Sequence, residues 1–307
     1  MAELGGSMKT GILVPVWVNY RWIAPLTKEL IDREWPDHPE LWFCGLERAP
    51  ESGWNVIPMS EPAECTNWTR VLLDGVDGMI ARGFDTLYII PEEHVPLAKC
   101  RADDLNVALP DLMVRLDALY ISLMGWDNRR FVSKSPVLSN QDFGLKHLTG
   151  PRDPRFHLHP ALWNAEAART CCKIALENKS AGGSAWHFEK ATGGAGAPLP
   201  AGWETRCYQI RASVLSTHPR GWMSAAASWC ERSLFHKLMA LVPHLPKAWV
   251  SPYLRAIPFD DVFCDGPYPM FYSGIMAKGG PNKHFVHFLR KKNPDLLDEI
   301  LSAMPDK

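Results

Sequence analysis

The chain has 307 residues, 46% of them hydrophobic, with a formal net charge of −1 and a pI near 6.8. This is enough apolar material for one large domain, or for a domain with a smaller lobe. The near-neutral charge removes any global electrostatic argument for a polyanionic partner, although a local basic patch stays open.

No apolar run approaches the roughly 20 residues a bilayer span requires, and no secretory signal precedes the first expected strand. The eight cysteines are scattered and contain no CxxC pair. Zinc-ribbon and thioredoxin readings therefore fail, and the expectation is reduced packing thiols in a cytoplasmic protein. Residues 1–8, ending in a second methionine at Met8, read as an appended expression scar outside the fold.

In chain order, Gly11–Trp17 is an almost continuous apolar run, as expected of a strand covered on both faces. After an aromatic and polar loop over Val18–Ile23, Pro25–Trp35 carries Leu26, Leu30, Ile31 and Trp35 at helical spacing, with proline at its start. Glu40–Cys44 predicts a second strand and Asn55–Met59 a weaker third. Trp68–Arg82 returns to helical spacing through Val71, Leu72, Val76, Met79 and Ile80, and Gly83 closes it.

The apolar strand Leu87–Ile90 then runs into Glu92-Glu93-His94. The carboxyl end of a buried strand is where ligands sit in an α/β protein. Two carboxylates and an imidazole there form a ligand set for a divalent cation, which in turn can hold a diphosphate. A solvated acidic turn is the plainer alternative. Asp103–Leu116 predicts a helix and Ala118–Met124 a strand, so the β-α-β-α-β order argues for a three-layer sheet.

Beyond about residue 127 the pattern loosens. Arg155–Trp163 reads as a strand entering a helix over Ala165–Asn178, and His157 and His159, spaced i, i+2, would share one strand face. Ala191–Gly202 reads as a mobile loop or surface insertion, Cys207–Leu215 as a strand, and Ser228–Leu241 as the clearest later helix. Phe259–Gly280 reads as loop, Arg290–Lys292 as a solvated basic run, and Pro294–Met304 as a final helix.

Three features share one order: the strand ending in Glu92-Glu93-His94, the segment His159-Pro-Ala-Leu-Trp163 opening a helix, and the box Ala185-Trp-His-Phe-Glu189. Together they resemble a group of bacterial, phage and large-virus glycosyltransferases. The likeness spans roughly residues 9 to 290. That group pairs a strand-terminal Glu-Asp with a Gln-Pro-Ala-Leu-Trp-like segment and a Trp-x-Phe-Glu box. This chain departs from it with Glu93 in place of aspartate and His159 in place of glutamine.

The resemblance implies a three-layer α/β/α, GT-A-like (Rossmann-like) fold with a mostly parallel central sheet and a loop-rich C-terminal acceptor region. Residues 9–127 would be the nucleotide-sugar-binding half, and residues 128–307 the acceptor-binding and catalytic half. It also implies a nucleotide-diphospho-sugar donor lying against Pro15, Val16, Trp17, Asn19, Tyr20, Arg21, Glu92 and Glu93. Mn2+ or Mg2+ would be held by Glu93, His94 and His159, and a metal-independent variant is also compatible.

Glu189 becomes the catalytic base, raised in proton affinity by Trp186 and Phe188, while Trp186 and His187 contact the acceptor. The implied acceptor is a glycan or lipopolysaccharide precursor, in the cytoplasm of a bacterium or a phage-infected host cell. Hydroxymethylated pyrimidines in DNA are the rival acceptor. A non-catalytic nucleotide-sugar-binding protein is a rival of another class.

Overall fold

The computed structural model describes residues 8–124, 145–148, 156–178, 183–193, 197–210, 213–216, 262–271, 274–277 and 280–304. Strand β1 (Thr10–Pro15) leads through a 3-10 turn (Val18–Ile23) into α1 (Ala24–Glu34), followed by β2 (Leu41–Cys44) and β3 (Asn55–Ile57). Helix α2 (Trp68–Ile80), β4 (Thr86–Ile89), a π-type turn (Asp104–Ala108), α3 (Leu109–Arg115) and β5 (Tyr120–Ser122) complete the first half.

Next come β6 (Leu145–His147), β7 (Ala161–Asn164), α4 (Ala165–Glu177), α5 (Ala185–Gly193) and β8 (Cys207–Ile210). Four short strands, β9 (Ser213–Ser216), β10 (Val262–Asp265), β11 (Met270–Phe271) and β12 (Met276–Ala277), precede β13 (Gly280–Pro281), α6 (Lys283–Lys292) and α7 (Pro294–Ser302).

The central sheet has eight strands in the order β3-β2-β1-β4-β7-β5-β8-β6. Strands β1 to β4 pair in parallel, and so do β5 and β8. Strand β7 runs antiparallel between β4 and β5, with Leu87 opposite Trp163 and Ile89 opposite Ala161, and β6 is an antiparallel edge on β8. The result is a mixed α/β sheet with helices on both faces, Rossmann-like in its parallel half, as the sequence led us to expect.

The period-2 alternation of a strand divides the core. Leu13, Leu87 and Ile89 face α2 and α4, meeting Val71, Leu72, Val76, Ala168 and Cys171. Ile12, Val14, Tyr88 and Ile90 face the other way, onto Trp35, Leu109 and Leu112. Because both sides of β1 and β4 are covered, these strands read as continuous apolar runs and not as alternating ones. Helix α2 lies so close to β2 that a Cβ at Gly75 would fall 2.5 Å from Cys44 Sγ. Asn67 and Asn164 cap α2 and α4 by accepting from the amides of Arg70 and Ala167. Cys44, Cys65, Cys100, Cys171 and Cys172 are free thiols.

Several sequence expectations change. His157 and His159 precede β7 in a bent segment, so they do not share a strand face; the left-handed backbone of Phe156 (φ 54°) breaks any extension there. The expected loop from Ala191 is helical as far as Gly193, where α5 ends. Cys207–Leu215 is two strands in different sheets. The expected loop over Phe259–Gly280 contains β10 to β12 and the start of β13, and the basic run at Arg290–Lys292 ends helix α6. The expected helix at Ser228–Leu241 lies outside the described residues. Among the described residues no helix is long and apolar enough to cross a membrane.

Candidate active site

Strand order reverses at β1, which has β2 on one side and β4 on the other. At such a switch point the connections leave in opposite directions and open a crevice at the carboxyl ends of the strands. Trp17, just past β1, and Glu92, just past β4, meet there: the Trp17 amide donates to Glu92 Oε1 at 2.9 Å. The buried Thr27 hydroxyl of α1 donates to the Glu92 carbonyl at 2.8 Å, fixing the turn from behind.

Glu92 is only 3% exposed. Burial pushes its carboxyl up to about 7, against the opposing pull of the Trp17 amide. Burial, and then the charge of Glu92, push the partly buried Glu93 up to about 8. The C-terminal region holds this turn in place. Ile275 donates its amide to the Glu93 carbonyl at 2.9 Å, and the Tyr268 hydroxyl donates to the His94 carbonyl at 2.8 Å.

A second group of side chains comes from the bend before β7 and from α5. Phe156 buries its ring against Tyr120 and Trp163, which anchors the residues that follow. The Leu158 amide donates to Glu189 Oε1 at 2.9 Å, and His157 Nδ1 lies 3.7 Å from the same oxygen. Burial alone would raise the proton affinity of Glu189. The His157 imidazole and the Leu158 amide outweigh it, aided by the charges of His157 and His94, and the carboxyl sits below its ordinary range.

This corrects the expectation of a raised affinity. Trp186 is 73% exposed and Phe188 turns into the core against Trp68 and Trp163, so donors rather than apolar rings govern the carboxylate.

Both groups line one cavity of about 480 Å3. Glu92, Glu93, His94, His159 and Glu189 supply its ionisable walls, and Trp17, Tyr20, Trp68 and Trp186 its aromatic ones. No lysine or arginine appears among these lining residues. His159 and His94 stand edge to face with centroids 5.2 Å apart, and His157 is 5.6 Å from His159. One ligand atom from each of His157, His159 and Glu189 falls within 4.8 Å of the others, a grouping able to hold a metal ion. The sequence marks His157 only through its i, i+2 spacing from His159; its nearness to Glu189 is a tertiary fact.

The other candidate residues divide. Trp17 and Tyr20 line the cavity, while Pro15 and Val16 are buried, Val16 within the core. Asn19 is exposed and does not line it. Arg21 is engaged elsewhere, donating to the Gly45 carbonyl at 3.0 Å and pairing with Glu47 at 2.5 Å. On α5, Trp186 and Glu189 are spaced i, i+3 and both reach the cavity, whereas His187 bonds the Ser184 hydroxyl at 2.8 Å and does not line it.

No protein-family model matches the chain, and no curated protein does. Among solved structures, mannose-1-phosphate geranyltransferase from Thermus thermophilus is 14% identical at a TM-score of 0.33, covering 66% of this chain and 74% of that one. A197 from STIV is 13% identical at 0.28, covering 66% and 82%. The WbbM bifunctional glycosyltransferase is 12% identical at 0.29, covering 58% and 35%. Likenesses this distant carry no functional weight, and function is read from the cavity itself.

Proposed function

We propose that the protein is a glycosyltransferase that takes a sugar from a nucleotide-diphospho-sugar and passes it to a hydroxyl acceptor. The observation that carries this reading is the meeting of Glu92, Glu93 and Glu189 in one aromatic-walled cavity at the β1/β4 switch point. Trp17 and Tyr20 would receive the nucleoside end of the donor.

Breaking the bond to the sugar places more negative charge on the diphosphate, and among the described residues no lysine or arginine lines the cavity to receive it. A divalent cation is the natural complement. Glu92 and Glu93 fit a hard cation such as Mn2+ or Mg2+: they are neighbouring carboxyls whose high proton affinity shows that burial, and not a positive partner, governs each. When bound, the ion would offset the charge of the departing diphosphate. His94, on the same cavity, extends the candidate ligand group.

Glu189 is ionised at neutral pH and oriented by Leu158 and His157, which gives it the charge state a proton acceptor needs while lowering its basicity. Trp186, at the mouth, offers a face for a sugar ring. The shortage of cationic side chains among the described lining residues favours an uncharged glycan or a lipopolysaccharide precursor as acceptor over a DNA backbone, which would call for lysine and arginine.

The direct test is a thermal-shift panel of UDP-, GDP-, CMP- and dTDP-sugars with and without Mn2+. One donor class should raise the melting temperature, because a ligand of the native state stabilises it by mass action. Absence of a shift with every donor, with and without Mn2+, refutes the reading.

A further inference from the structure

We propose that His157, His159 and Glu189 form a binding site for a divalent transition metal, distinct in ligand chemistry from the paired glutamates. Two imidazoles and one carboxylate are nitrogen-rich, a set that suits Zn2+ or Co2+ and discriminates against Mg2+ and Ca2+. Zinc holds such ligands at about 2.0–2.2 Å, so neighbouring ligand atoms end up roughly 3.4 Å apart. His157 Nδ1 and Glu189 Oε1 stand 3.7 Å apart, and no pair in the set exceeds 4.8 Å.

The backbone ties the three residues together. Leu158, between the two histidines, gives its amide to Glu189 Oε1, so the carboxylate and the histidine segment cannot separate without breaking a hydrogen bond. A carboxylate oxygen has two lone pairs, so Oε1 can keep this bond and still face a cation. The Tyr120 hydroxyl donates to the His157 carbonyl at 3.4 Å, and the packed ring of Phe156 fixes the chain just ahead. These contacts fix the backbone from which the His157 ring projects. Because His159 and Glu189 both line the cavity, a bound ion would present an open coordination position to it.

Metal binding here does not depend on the sugar-transfer reading; only the following role rests on it. With the ion bound, Glu189 would serve as a ligand and not as the base, and an acceptor hydroxyl in the open position would be acidified and give up its proton to solvent water as the sugar is transferred.

The test uses the full chain stripped with a chelator, then titrated with Co2+ and with Zn2+, read by cobalt d–d absorption and by calorimetry. With excess Mg2+ present for the paired glutamates, one Co2+ should bind per chain with a low-coordinate spectrum, and Zn2+ should displace it. His157→Ala and Glu189→Gln should each weaken Zn2+ at least tenfold, while His147→Ala should leave it unchanged. Metal-free melting curves identify any variant that has failed to fold, and His157→Gln then replaces His157→Ala as the milder change. Retention of the cobalt spectrum in a folded His157 variant overturns the proposal, whatever Glu93→Gln does. So does the absence of Zn2+ binding to the wild-type chain. Either failure leaves the donor thermal-shift result untouched, so the two readings fail separately.

Discussion

The amide of Trp17 and the carboxylate of Glu92, 75 positions apart, meet at 2.9 Å and tie the ends of β1 and β4 together. That contact puts a buried acid at the base of the crevice, beside a second acid. Four consequences can be measured.

The metal-free protein should lose stability as pH rises from about 5 to 8. Glu92 and Glu93 are raised in the fold to about 7 and about 8 from an ordinary 4.5. Between those limits the folded chain keeps protons that the unfolded chain releases. The stabilisation is therefore complete below 4.5 and is lost as pH climbs through 7 to 8. Ionising one such buried carboxyl costs on the order of 3 kcal/mol. Denaturant unfolding in EDTA at several pH values should show the decline, and Glu93→Gln should flatten it. A curve rising over this range would contradict the assignment.

Glu189→Gln should lower kcat by about 10²–10⁴ while leaving donor affinity near wild type. Glu189 titrates below its ordinary range, so its stabilising contribution is present above the unfolded value and disappears as pH falls through the folded one. Activity should fall on the acid side over the same interval. Single-turnover kinetics across pH, with donor binding measured in parallel, check both points. Undiminished turnover in the variant would remove Glu189 from the chemistry.

Gly274→Ala should loosen the acidic turn. Gly274 has φ +70°, and a Cβ there would lie 2.9 Å from Glu93 Cγ and 3.1 Å from the Glu93 carbonyl oxygen. Backbone strain and displacement of Glu93 together should cost about 1–3 kcal/mol and weaken Mn2+-dependent donor binding. Calorimetric melting and donor titration measure the two effects.

Trp186→Ala should leave stability within about 0.5 kcal/mol, because an exposed side chain has little packing to lose. Acceptor KM should rise several-fold and donor affinity should hold. An unchanged acceptor KM would take Trp186 out of acceptor binding.

The sequence alone was enough to locate the strands and helices of the parallel half, though not the order in which the strands pair. The apolar runs of β1 and β4 and the 3.6-residue spacing of α1 and α2 are local patterns, written into neighbouring residues, and the acidic turn follows directly from β4. Strands β11 to β13 have two residues each, too few for any period to show, and α6 hides Phe285, Phe288 and Leu289 among lysines and histidines.

What only the tertiary structure decided is the company each acid keeps. Glu189 is held by a residue 31 positions away, Glu92 by one 75 away, and Glu93 by the C-terminal segment. Proton affinity depends on burial and on nearby donors and charges, and those are set by the folded chain, not by the residues adjacent in sequence. That is why the two glutamates at the end of β4 are raised while the one on α5, expected to be raised, is lowered.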